Sequence, residues 1–199
     1  MDTESMFYEL SKCILAKVKV NLTKEFFVEY FLKFGISTFD VARKQGVSEE
    51  VIDKLCKEKI ELEKEWLKTK NISVFPGIRE TLEVLYGKIL MAIVTTSKRD
   101  NLKTKLQRTK LEKYFNFWIT REDFKNEKPD PEPYLLAVKK SGLKPKECLA
   151  IEDNEKGIYA AKKAGLICYD LPNELSKNMK FSMADKILKN PKEIISVII

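Results

Sequence analysis

Between Lys88 and Leu171, four short apolar runs alternate with stretches of helical character, and few folds accommodate that grammar. The runs are Lys88–Thr95, Phe115–Ile119, Cys148–Glu152 and Leu166–Leu171. Helical segments separate them: Ser97 to about Lys110 with Ser97 as N-cap, Glu132–Ser141, and Asn154–Ala164 closed by Gly165. A strand, a crossover helix and a further strand make a parallel pair, so this part is expected to form a parallel sheet covered by helices on both faces, an α/β class.

The first 70 residues follow another rule. Phe7, Leu10, Ile14 and Val18 recur at helical spacing, as do Phe26, Phe27, Tyr30 and Phe31. Ser37 to Lys44 predicts a short helix stopped by Gly46. Ser48 then stands as an N-cap, with Glu49 and Glu50 complementing the dipole of an amphipathic packing helix that carries Ile52, Leu55, Trp66 and Leu67. Phe75-Pro76-Gly77 marks the change of grammar, so the expected domains are an all-helical 3–75 and an α/β core 76–199. A chain of 199 residues is long enough for one domain of ordinary size plus such an insertion.

Composition excludes several chemistries. The chain has no histidine, which removes His-based acid/base catalysis, His-containing zinc sites and Ser-His-Asp triads. Cys13, Cys56, Cys148 and Cys168 fall singly, without metal-ligand spacing, and fit a reduced, cytoplasmic chain. The net charge of +7 is uneven: residues 1–75 balance 13 basic against 13 acidic side chains, whereas 76–199 hold 24 against 17. No basic run interleaves with aromatics, so the excess reads as a solvated surface, and no nucleic-acid partner is expected. No apolar run approaches bilayer length, and no membrane partner is expected either.

Three elements carry the chemistry, each at or just past a strand end, where open parallel sheets bind ligands. Glu152 and Asp153 are adjacent acids that need a cation or basic partners to stay ionised together, and all-oxygen ligation suits Mg²⁺. Thr95 and Thr96 offer hydroxyls and backbone N–H groups for a phosphate at a strand-to-helix turn. Lys128, in the proline-punctuated loop Lys128-Pro129-Asp130-Pro131-Glu132-Pro133, can neutralise a transferring phosphoryl group. Each has a plainer reading alone: a helix-capping acid pair, two β-formers, a surface lysine. The case for a site rests on their order along alternating strands.

Val94-Thr95-Thr96-Ser97-Lys98-Arg99, Lys128 to Tyr134, and Ile151-Glu152-Asp153-Asn154 with Gly157 and Ala160–Gly165 together resemble the haloacid dehalogenase-like hydrolases. The branch containing β-phosphoglucomutase and phosphoglycolate phosphatase is the most similar, and the resemblance extends over nearly the whole chain. It implies a Rossmann-like core with residues 3–75 as a small helical cap that selects substrate. It also implies a Mg²⁺-dependent phosphomonoester hydrolase acting on a small phosphorylated metabolite. Thr95 matches the hydroxyl that binds the transferred phosphoryl, Lys128 the charge-stabilising lysine, and Glu152 and Asp153 the acids that help hold Mg²⁺.

The family's first motif, Asp-x-Asp-Gly-Thr-Leu, supplies the aspartate nucleophile and the general acid/base at the end of a first, central strand. Met1-Asp2-Thr3-Glu4-Ser5 matches only the continuation of that motif, and Asp2 cannot replace the nucleophile. The resemblance thus implies that the first central strand and both aspartates are missing from this chain, with unpaired backbone edges expected on two neighbouring strands. The expectation is therefore a 199-residue chain without turnover, explained by a start assigned at an internal methionine. Translating the frame upstream of Met1 tests it. A non-catalytic phosphate-binding pseudoenzyme, and a sugar-phosphate mutase when full length, are the alternatives.

Overall fold

The computed structural model describes residues 4–179 and 183–199, so Asp2 and the rest of Met1-Asp2-Thr3 lie outside the described residues. The chain divides into two compact units, Asp2–Ser73 and Val74–Ile199. Among the described residues no helix is long and apolar enough to cross a membrane.

The first unit is helical: α1 (Glu4–Ala16), α2 (Lys24–Phe26) running into a π-helical turn (Phe27–Leu32), α3 (Asp40–Lys44) and α4 (Glu49–Thr69). Thr23 caps α2, its hydroxyl accepting from the Phe26 N–H at 3.1 Å. The apolar stripes do what their spacing predicts. Leu10, Ile14 and Leu15 of α1 and Ile52, Leu55 and Leu67 of α4 are buried as the two helices pack together. Phe31 stacks on both Phe7 and Phe27, with ring centroids 4.9 Å apart in each pair. Ser48 occupies the N-cap position of α4, but its hydroxyl makes no capping bond. The junction is held instead by Arg43, which pairs with Asp40 at 2.7 Å and Glu49 at 2.8 Å.

The second unit runs α5 (Ile78–Leu85), β1 (Ala92–Val94), α6 (Arg99–Thr109), β2 (Phe117–Ile119), α7 (Glu132–Ser141), β3 (Leu149–Glu152), α8 (Glu155–Lys163), β4 (Ile167–Asp170), β5 (Lys186–Ile187) and α9 (Ile195–Ile198). Gly77 starts α5 from a left-handed φ of +85°, which a side chain would strain, so the Pro76-Gly77 break is a backbone requirement. All strand pairs are parallel, as the alternation predicts. The strands form two sheets, however, β1-β2 and β3-β4-β5. Among the described residues β1 and β3 share no backbone ladder.

Side chains nevertheless continue across that break on both faces. One layer joins Ile93 and Trp118 to Ile151 and Tyr169 around Leu102, Leu106, Leu171 and Leu188. The other joins Val94 to Ala150 and Cys168 beneath Tyr134, Ile158 and Ala161. Each fully buried aliphatic side chain contributes roughly 1.5–3 kcal/mol, so the two sheets are held side by side by their shared cores.

Several expected boundaries shift. The first strand shrinks from Lys88–Thr95 to Ala92–Val94, because Gly87 and the turn around it occupy its beginning. Ser97 is not the cap of the following helix. The cap position is Lys98, and Glu122, distant in sequence, accepts from the Arg99 N–H at 3.1 and 3.2 Å. Ser97 instead donates its own N–H to the Thr95 hydroxyl and accepts from the Lys105 ammonium.

Candidate active site

Glu152 is the last residue of β3, Asp153 and Asn154 follow it, Thr95 and Thr96 follow β1, and Asp170 ends β4. Lys128 lies in the loop between β2 and α7. These residues therefore gather at the carboxyl ends of parallel strands, where helices begin and backbone N–H groups point outward.

The loop that carries Lys128 is stapled at both ends. The Glu132 carboxylate accepts from the N–H groups of Lys125 (3.0 Å) and Asn126 (2.8 Å), and Asp130 accepts from the Glu132 N–H at 2.8 Å. The Lys128–Pro129 peptide is cis, and Pro133 sits in the first turn of α7. So held, the Lys128 ammonium donates to Glu152 Oε1 at 2.5 Å, to the Val94 carbonyl at 2.9 Å and to the Tyr134 hydroxyl at 3.3 Å. Its side chain is 8 % exposed and that of Glu152 9 %. Lys128 thus ties the end of β1 to the end of β3.

Glu152 has two further neighbours. The Tyr134 phenol donates to the same Oε1. Burial, followed by the Glu152 charge, raises the Tyr134 pKa well above its ordinary value, which keeps it a neutral donor. Gly157, in the first turn of α8, lies against the carboxylate, and a Cβ there would stand 2.6 Å from Oε1 and closer to the rest of the group. Asn154 caps that turn, accepting from the Gly157 N–H at 3.0 Å.

Asp153 is held by amides. Asn154 Nδ2 donates to its Oδ1 at 2.9 Å and Asn173 Nδ2 to its Oδ2 at 3.0 Å. Burial and then the Glu152 charge raise its pKa, with the Asn173 bond opposing. Asp170 is fully buried, and burial followed by the Asp153 and Glu152 charges pushes it up to about 7. Cys168 is no competing ligand, since burial pushes its thiol up to about 12.

Of the residues expected at the site, Lys128 and Glu152 are in direct contact, and Asp153 adjoins them. The Thr95 hydroxyl is engaged within its own turn, accepting from the Ser97 N–H at 3.1 Å, while Thr96 follows it, part-buried, on the same turn. Tyr134, Asn173 and Asp170 were not expected there. Tyr134 and Asn173 stand in stretches that the family resemblance covers, but the residue pattern carried no sign of their contacts.

The donor set is oxygen throughout, which fits a hard ion such as Mg²⁺ that keeps several of its waters. Among the described residues no three acid, cysteine or histidine side chains form a group able to hold a metal ion by themselves. Glu152 and Asp153 would hold it, with water or further oxygen ligands completing its shell.

Parallel strands alternating with helices, with acids, a lysine and a hydroxyl at their carboxyl ends, have the form of a Rossmann-like core. The chain belongs to the haloacid dehalogenase-like hydrolases, whose family pattern matches residues 1–169. It is 32% identical over 145 residues to the phosphorylated carbohydrates phosphatase of Thermotoga maritima, covering 71% of this chain and 67% of that protein. With protein CbbY of Rhodobacter capsulatus it shares 31% identity over 144 residues, covering 70% and 63%. The crystal structure of CbbY from Rhodobacter sphaeroides with xylulose-(1,5)bisphosphate superposes with a TM-score of 0.81 at 22% identity, covering 96% of this chain and 90% of that one. The aligned stretches span between about a third and two thirds of the first curated relatives' lengths.

Proposed function

We propose that this chain carries the phosphoryl-binding and charge-stabilising part of a Mg²⁺-dependent phosphomonoester hydrolase acting on a small phosphorylated metabolite. The observation that carries the reading is the Lys128 ammonium, bonded at once to Glu152 and to the Val94 carbonyl beside Thr95. These two bonds support the reading because they tie the end of β1, next to Thr95, to the acid that ends β3. Thr95 and Thr96 would orient the phosphoryl oxygens, and Lys128 would offset their charge as the ester bond breaks. Glu152 and Asp153 would hold Mg²⁺, which supplies Lewis-acid stabilisation when bound. Residues 3–75 would serve as the substrate-selecting cap and residues 76–199 as the core. The name of the Thermotoga maritima relative supports phosphorylated carbohydrates as the substrate class.

Lys128 and a cation stabilise charge but do not attack phosphorus. We assign that step to the carboxylate of an Asp-x-Asp-Gly-Thr-Leu motif, which the 199 residues do not contain. The carboxylate would displace the alcohol to give a phosphoaspartate, which water then hydrolyses. The 199-residue chain is accordingly expected to release no phosphate from a panel of sugar phosphates and phosphoglycolate with Mg²⁺, and a chain extended by that motif to release it. An extended, folded chain that is inert across the panel defeats the hydrolase reading.

One observation favours a second reading. Glu152 already has its charge matched by Lys128 and a hydrogen bond from Tyr134, a self-contained arrangement compatible with phosphate binding without turnover. Phosphate that raises the melting temperature of both chains, with turnover in neither, would select the pseudoenzyme. Conversion of a hexose 1-phosphate to its 6-phosphate would select a mutase.

A further inference from the structure

Asp170 is the last residue of β4, and the parallel register sets it opposite Glu152, the last residue of β3. Register partners share a sheet face. Two residues earlier, the partners Ala150 and Cys168 are packed with Tyr134, Ile158 and Ala161, so Glu152 and Asp170 face the same helical layer. Adjacent strands lie about 4.8 Å apart, which puts the two carboxylates side by side at the edge where the site gathers.

The three acids are treated differently by their surroundings. Glu152 has Lys128 and Tyr134, and Asp153 has Asn154 and Asn173. Asp170 is 0 % exposed, and neither of its carboxylate oxygens has a hydrogen-bond partner among the described residues. Its backbone leaves it no route outward. The Asp170 carbonyl accepts from the Leu188 N–H at 2.8 Å, and the next residue, Leu171, donates its N–H to the Glu152 carbonyl at 2.7 Å. A purely structural residue here would be apolar like Cys168 and Leu171, since a buried carboxylate without partners is costly. Two orphaned acceptors beside a pair of acids fit donors that arrive with a ligand.

We infer that Asp170 is a positioning residue for the hydrated divalent cation at Glu152 and Asp153, its carboxylate accepting hydrogen bonds from the cation's waters. The inference rests on the cation reading of that pair. Water mediation follows from two facts. Glu152, Asp153 and Asp170 do not form a three-acid group able to hold a metal ion by themselves, and Mg²⁺ gives up its waters reluctantly. Carboxylates in that outer position hold the bound waters in place.

The test uses the 199-residue chain with Mn²⁺ as the probe, titrated by the electron paramagnetic resonance signal of free Mn²⁺. Asp170→Asn, which keeps the shape, is expected to weaken Mn²⁺ binding about 10-fold or more. The same variant should melt no lower than the parent chain when chelator is present, since the acid it replaces has no partner to lose. Water-proton relaxation should report the same number of Mn²⁺-bound waters in parent and variant. A gain of one coordinated water in Asp170→Asn would make Asp170 a direct ligand and overturn the water-mediated assignment. Unchanged Mn²⁺ affinity in Asp170→Asn, with loss in Asp153→Asn, overturns the inference about Asp170 and leaves the cation reading standing. A parent chain that binds no Mn²⁺ defeats the cation reading, and this role of Asp170 with it. Should Asp170→Asn not fold, Asp170→Ser, smaller and uncharged, serves for the same titration with the same expected loss.

Discussion

Lys128→Ala is expected to lower the unfolding free energy by about 3–5 kcal/mol, read by urea denaturation near neutral pH. The size follows from what the substitution leaves behind. Glu152, with 9 % of its side chain exposed, would keep the Tyr134 hydrogen bond but lose its only contacting ammonium among the described residues. The Val94 carbonyl would lose its donor as well. An exposed pair on this chain, such as Lys177–Glu174, is worth at most about 1 kcal/mol by comparison, because water replaces the lost partner. Removing both charges distinguishes a pair from two independent residues. Glu152→Gln added to Lys128→Ala should recover part of the loss, with a coupling of about 1–3 kcal/mol. A single-variant loss below about 1 kcal/mol would mean that the pair is solvated, and would remove the observation on which the proposed function stands.

The second large effect is one of sign. Gly-to-Ala within a helix ordinarily stabilises by about 0.5–1 kcal/mol, because alanine is the better helix former. Gly157→Ala is expected to destabilise instead, by roughly 1–3 kcal/mol, since the added methyl meets the Glu152 carboxylate rather than open space. The carboxylate has nowhere easy to go, with Lys128 and Tyr134 both bonded to its Oε1. The variant should therefore also weaken Mn²⁺ and phosphate binding. Thermal unfolding in the presence of chelator isolates the packing part of the effect. A stabilised Gly157→Ala chain would show that Glu152 moves aside freely, against the fixed arrangement described for the site.

Where the sequence was legible, the signal was local. Glu132–Ser141 has the boundaries its punctuation implies, because Pro133 suits a first helical turn and Gly142 takes the left-handed φ of +73° that ends it. Asn154 and Gly165 bracket α8 in the same way. The strand-end placement of Thr95 and Glu152 followed from the apolar runs. What escaped the reading is held together across long separations. Glu122 supplies the cap of α6 from 23 residues away, so Ser97 looked like the cap although its contacts lie elsewhere. Tyr134 and Lys128 reach Glu152 over 18 and 24 residues. Asp170 ends an apolar run that reads as an ordinary strand, and only its register with Glu152 reveals it as part of a cluster. The division into two sheets is beyond periodicity, which locates strands and leaves their pairing open. The family resemblance, however, already implied a gap in the middle of the sheet, where the unmatched first strand belongs.

That division has a kinetic consequence. Within each sheet the strand amides are locked by neighbouring carbonyls, but among the described residues only side-chain contacts resist separation across the line between β1 and β3. Local opening along such a line breaks no strand-to-strand backbone hydrogen bond among the described residues, so the β1-β2 and β3-β4-β5 halves should behave as separate cooperative blocks. Native-state amide exchange would show this as two protection levels, one for Ala92–Val94 with Phe117–Ile119 and another for Leu149–Glu152 with Ile167–Asp170. A single shared level would mean that the two cores open together. Lys128, bonded to one block through Val94 and to the other through Glu152, is then a rivet whose removal should lower the weaker level first.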